Sequence, residues 1–283
     1  MTPTPATHQQ RSAHIRAVVM ARGDELRRRY PILQHQDALG AGILAFALAG
    51  MLGSAWLYAE GAIAWWACLL ANAFFASLTH ELEHDLIHSM YFRKRPLPHN
   101  LMLALVWLAR PSTINPWVRR HLHLNHHKVS GSEADMEERA ITNGEPWGFA
   151  RLLMVGDNLM SSLIRFLRAP TWERRKMIVS RTLVGYAPLG LLNWGTWYVF
   201  LGFHLIDFVA SLAGAPITWS ATTLVVMDGV TFAVVVLVGP NVLRTFCLHF
   251  VSSNMHYYGD VEPGNVIQQT QVLNPWWLWP LQA

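Results

Sequence analysis

Seven of the chain's fourteen histidines fall in two short windows. The first, His80-Glu81-Leu82-Glu83-His84-Asp85-Leu86-Ile87-His88, places a histidine at every fourth position. On a helix, residues four apart lie about 40° apart around the axis, which predicts one face for His80, His84 and His88 over two turns. Such a face can hold one metal between two imidazoles or reach two metals. The second window, His121-Leu122-His123-Leu124-Asn125-His126-His127, has an HxxHH core that again offers ring nitrogens at i, i+3 and i+4. Imidazole is a ligand suited to iron, zinc and copper. The alternative, polar residues at a rim or a solvated surface, suits the scattered His8, His14, His35, His99 and His204. It does not suit crowded imidazoles, which would repel on protonation with nothing gained.

Carboxylates interleave with the first window, and Glu81, Glu83 or Asp85 could hold the far ring N–H of a ligating histidine. Glu83 reads equally well as part of a solvated acidic face. His80 to His84 also satisfies HExxH, the zinc-protease pattern of two ligands and a water-activating glutamate. The second cluster counts against that reading, because a zinc hydrolase needs three protein ligands and an open position. Surplus histidines call for a second metal. Asp228, in the middle of an apolar run, is a functional candidate by position, with a buried structural hydrogen bond as the favoured alternative.

The elements that must position these windows are helices in a membrane. Of the 283 residues 52% are apolar and 14% charged, a low charge fraction for a soluble domain. Four stretches are apolar over bilayer-spanning length or near it: Ala38 to Ala59, Gly61 to Thr79, Thr182 to Phe203, and Ile217 to Gly239. All 22 Lys and Arg lie in Arg11 to Arg29, Arg93 to Arg181, and Arg244. The bias of cytoplasmic loops toward basic residues then predicts four transmembrane helices in two hairpins, an all-α fold with both termini and both histidine windows on the cytosolic side. Residues 1–37 read as a polar, basic tail and 38–283 as one membrane domain. No proline lies between Pro31 and Pro96, so the second helix is expected to extend through His80 to Met90. Leu101 to Ala109 is too short to span and reads as re-entrant or interfacial. Arg151 to Arg181 reads as amphipathic surface helices.

The formal charge of +4 does not point to nucleic acid, since no nucleic-acid module appears and the cations flank apolar runs. The lipid bilayer, with its anionic headgroups, is the expected partner. The first 30 residues lack the apolar core of a cleavable signal peptide. Cys68 and Cys247 form no CxxC pair and read as small apolar residues.

The HELEHDLIH window after an apolar hairpin, the HLHLNHH window beyond it, and Asn254-Met255-His256-Tyr257-Tyr258-Gly259 after a second hairpin resemble the membrane fatty acid desaturase superfamily, which includes desaturases, hydroxylases and alkane monooxygenases. The resemblance implies four transmembrane helices with a cytosolic helical cap that carries the histidine boxes, and two iron ions held by those histidines in a non-haem di-iron centre. Carried over residue by residue, it assigns metal-ligand roles to His80, His84, His88, His123, His126, His127 and His256, with His249 as a secondary candidate. The first window serves either as HExxH through His80 and His84 or as HDxxH through His84 and His88. A third HxxHH cluster should follow the aromatic run, and the sequence reaches Ala283 without it. The expectation is a C-terminally shortened chain, unable to turn over.

The resemblance further implies an enzyme that uses dioxygen to desaturate fatty acyl chains of lipids, with acyl-chain or alkane hydroxylation as the alternative. A HExxH zinc metalloprotease ranks below both. No flavin, haem or iron–sulfur motif is present, so electrons are expected from a separate protein such as ferredoxin, rubredoxin or cytochrome b5. Arg93-Lys94-Arg95 or Arg174-Arg175-Lys176 could dock such an acidic carrier or, equally, lipid headgroups. A multi-pass protein of a bacterial inner membrane is the expected setting.

Overall fold

The computed structural model describes residues 7–130, 132, 134–255 and 275–276, and all regular structure among them is helical. The basic N-terminal segment forms α1 (His8–Arg29), opened by a capping box in which Thr7 and Gln10 satisfy each other's backbone N–H groups. After a 3-10 turn, Pro31–Gln34, comes α2 (Gln36–Ala59). A tight turn with Gly61 at φ 69° returns the chain into α3 (Trp65–Ile87). The two helices approach closely: Ser54 donates to Asn72, and a side chain at Gly50 would run into the Phe75 ring. α3 ends at its C-cap His88, short of Met90, because Ser89 turns into the left-handed region at φ 57°.

α4 (Pro96–Ala109) contains the short apolar run. Its 14 residues reach about 21 Å, less than the bilayer's apolar thickness. Its apolar side is buried instead, with Met102, Leu103 and Val106 packed on Leu44 of α2 and on Leu82 and Leu86 of α3. α5 (Pro116–Val129) starts with proline at its first position and with the Asn115 side chain accepting from the Trp117 N–H at 3.0 Å. α6 (Met136–Ala140) is a single short turn capped by Asp135. The apolar-basic stretch then folds as α7 (Phe149–Gly156), α8 (Asn158–Arg168) and α9 (Trp172–Tyr186), with Asp157 and Thr171 capping the last two.

α10 (Leu189–Leu212) is followed by α11 (Ala221–Ala233), which runs through a π-helical segment, Val234–Val238, into α12 (Gly239–Ser252). Asn72 donates to the Val236 carbonyl at 2.7 Å, fastening this segment to α3. Among the described residues, three helices are long and apolar enough to cross a membrane: α2, α10 and the continuous Ala221–Ser252 helix. The apolar pattern predicts a fourth, Gly61 to Thr79; from Trp65 on it lies in α3, whose last turns carry the polar residues His80, Glu81, Glu83, His84 and Asp85. Both cysteines are free.

Candidate metal centre

α3 and α5 pack against each other so that His84 and His88 meet His123 and His127, with one ring nitrogen of each within 4.8 Å of the others. The Nε2 atoms of His88, His123 and His127 form a triangle with sides of 3.0, 3.1 and 3.1 Å. An imidazole nitrogen either carries a proton or offers a lone pair, never both. Three nitrogens in mutual contact therefore always include one pair of the same kind, so hydrogen bonding alone cannot satisfy the triangle. A cation among three lone pairs satisfies it, and the donor set suits a transition metal.

The protein also fixes which nitrogen is free. His123 Nδ1 donates to Glu137 Oε2 at 2.7 Å, which leaves the lone pair on Nε2, inside the triangle. His126 Nδ1 likewise meets Asp135 Oδ2 at 2.7 Å, leaving its Nε2 available. Carboxylates in this position orient metal-ligating histidines and raise their basicity. Asp135 is fully buried and uses its other oxygen to accept from the Glu138 N–H, so one side chain both caps α6 and aims His126.

Burial lowers the His88 pKa, with His84 and His123 adding to the effect; burial and the neighbouring His123 and His88 do the same to His127. Both rings are thereby kept in the neutral form that binds metals. His126 differs: burial opposes its charge, yet the Asp135 hydrogen bond and charge prevail and raise its pKa. Burial also works against the Glu137 carboxylate, but the His123 hydrogen bond and the Arg119 charge outweigh it and hold Glu137 at about 2.

His80 is not part of the four-histidine group. Residues eight apart on a helix differ by about 80° in direction, so the drift over two turns carries His80 toward α4. There Arg110 Nη1 donates to His80 Nδ1 at 3.0 Å. Arg110, fully buried, also pairs with Glu83, which is fully buried too. Glu83 is thus neither a solvated acidic residue nor a partner of a histidine. Its second oxygen accepts from Arg119 Nη1 at 2.9 Å, and Arg119 Nε reaches Glu137 at 3.3 Å. Two arginines and two glutamates form a charge-balanced chain from His80 to His123 that joins α3, α4, α5 and α6.

The other expectations distribute as follows. Glu81 is exposed, while Asp85 accepts from the Tyr91 hydroxyl at 2.8 Å and lies 3.7 Å from His84 Nδ1. Phe92 N–H donates to Asp37 at 2.7 Å, fastening the loop after His88 to the start of α2. His99 is buried, against the surface reading, and its Nδ1 bonds the Tyr91 carbonyl at 3.0 Å. Asp228 is exposed on α11 rather than held in a buried hydrogen bond. His249 is buried on α12 outside the four-histidine group, and His256 lies outside the described residues. Asp135, Glu137, Arg110 and Arg119 belong to the site although no histidine spacing points to them. The acidic run Asp135-Met136-Glu137-Glu138, eight residues past His127, was the available signal for the first two.

The sequence model of the fatty acid desaturase family matches residues 60–281, a span that includes both histidine windows. No curated protein and no solved structure matches the chain.

Proposed function

The chain belongs to the fatty acid desaturase family, and from that premise we propose that it is a multi-pass membrane oxidoreductase that uses dioxygen to desaturate fatty acyl chains of lipids. The observation that carries the reading is the Nε2 triangle of His88, His123 and His127, with His84 beside it. Five histidines gather here, His126 beside the other four, more than the three protein ligands that a catalytic zinc needs, and this surplus supports iron over zinc.

We assign His84, His88, His123 and His127 to one iron and His126 to a second, with His256 carried as a further ligand on the family resemblance alone. Bound iron supplies the redox and dioxygen chemistry that an unactivated methylene requires and no side chain offers. Glu137 and Asp135 fix the ring nitrogens that face it, and the Arg110–Glu83–Arg119 chain holds Glu137 in place. The HExxH protease reading needs His80 and His84 as joint ligands, and the hydrogen bond from Arg110 to His80 Nδ1 speaks against that pairing. Hydroxylation would use the same site and is separated from desaturation by product.

Membership in the family and the three apolar helices support a membrane protein. Our topology has α3 as a fourth span and both termini on the cytosolic side of a bacterial inner membrane. Electrons come from a separate acidic carrier, of ferredoxin, rubredoxin or cytochrome b5 type. The exposed Arg93, Lys94 and Arg95, on the loop that leaves the His88 end of α3, offer it a cationic docking face. The test is the fatty acid profile of cells expressing the intact gene or its His84→Ala variant. New unsaturated acyl chains in the first alone support the proposal. Hydroxylated products would move it to the hydroxylase branch, and identical profiles would overturn it.

A further inference from the structure

Away from the histidines, α8 and α9 form an apolar groove of about 480 Å³, lined by Phe166 of α8 and by Trp172, Val179, Leu183 and Val184 of α9, with Lys176 as its charged lining residue. The volume falls in the range of small-molecule sites, roughly 300–1,000 Å³. Trp172 is 62% exposed and Val184 63%, so the groove walls stand open and lack a protein partner among the described residues. In a membrane protein, an open apolar surface beside basic residues is one that lipid covers.

Charge identifies the occupant. α9 carries Arg174, Arg175, Lys176 and Arg181 against the single acid Glu173. The Arg175 guanidinium lies 5.5 Å over the ring of Phe166, beside the groove. The Lys176–Glu173 pair, at 2.9 Å, is exposed on both sides and contributes little that a stronger anion would have to displace. α9 also leads directly into the apolar α10, so the groove sits where a spanning helix meets the headgroup layer. Apolar walls, a tryptophan and several cations at that depth match a lipid with a charged head.

We propose that this groove binds one anionic phospholipid, with an acyl chain against Phe166, Leu183 and Val184 and the phosphate held by Lys176 and Arg175. The inference rests on the membrane setting and not on the metal chemistry, and its test reads neither metal nor turnover. The full chain, purified and equilibrated with mixed micelles of equal phosphatidylglycerol and phosphatidylcholine, is examined by native mass spectrometry. One phosphatidylglycerol per chain should be retained in preference to phosphatidylcholine. Lys176→Glu should reduce that preference about fivefold or more, since each cation near an anionic surface contributes on this scale. Val179→Trp and Leu183→Trp, which fill the groove, should lose the bound lipid, with circular dichroism confirming intact helices. Equal retention of both lipids by the wild type would overturn the proposal. So would undiminished phosphatidylglycerol in both groove-filling variants, or a second copy of the chain held in place of lipid.

Discussion

Glu137 accepts the Nδ1 proton of His123 at 2.7 Å while its other oxygen faces Arg119 Nε at 3.3 Å. This one carboxylate therefore decides which nitrogen of His123 points into the cluster. Glu137→Leu removes the acceptor and lets the ring change tautomer or turn. Metal affinity should fall about 10- to 100-fold, the usual cost of losing such a partner. Glu137→Gln, which can still accept from Nδ1, should lose less. Titration of the purified apo-protein with ferrous iron measures both, and equal affinity in all three proteins would contradict the role.

The Arg110–Glu83 pair should show the energetics of a buried ion pair. Glu83→Leu strands the fully buried Arg110 without a carboxylate and should destabilise the fold by about 3–5 kcal/mol, whereas Arg110→Met, which leaves Glu83 with Arg119, should cost less. The double variant Arg110→Met/Glu83→Leu should be more stable than Glu83→Leu alone, because it removes both buried charges and leaves Arg119 with Glu137. Chemical unfolding of the four proteins of this cycle measures the coupling. Additive effects would mean that the two side chains do not act as a pair.

Burial, opposed by the Asn143 hydrogen bond but aided by Asp135 and Glu137, raises Glu138 to about 7. Its pKa is thus higher in the folded state, so its share of stability is intact below the unfolded value near 4.3 and is lost as pH rises through about 7. The loss is on the order of 3 kcal/mol. Glu138→Gln keeps an acceptor for Asn143 and removes the ionisation. The variant's Tm should exceed the wild type's at pH 8 and match it near pH 4.5; the same gap at both would refute the assignment.

The proposed topology places the α10–α11 connection opposite the loop after α5. Reporters fused after Ala215 and after Ser132 should therefore report opposite sides of the membrane. A common side would break the two-hairpin arrangement.

Much of this was legible in the sequence because it rests on period and length. The apolar runs of α2 and α10 and the i, i+3, i+4 spacing in α5 are local patterns that packing had only to respect. What was not legible depends on chain reversals. Asp135 and Glu137 reach His126 and His123 only because the segment between α5 and α6 folds back, and no periodicity encodes that. His80 looked equivalent to His84 and His88, but the angular drift of the helix turned it to Arg110 on α4. Glu83 read equally as a partner for a histidine or as a solvated acid, because nothing local announces Arg110 at the end of α4 and Arg119 on α5. The apolar run Gly61 to Thr79 was legible too, but α3 continues past it through His80, Glu81, Glu83, His84 and Asp85, which makes the whole helix less apolar than α2 or α10.

The central claim is that His84, His88, His123 and His127 form an iron site from which His80 is excluded. Metal analysis of the intact protein purified from iron- and zinc-replete cells, beside His88→Ala, His123→Ala and His80→Asn, tests it most directly. The wild type and His80→Asn should contain iron in similar amounts, and the other two should lose most of it. One zinc and no iron in the wild type, or iron lost with His80→Asn and kept with His88→Ala, would contradict the account.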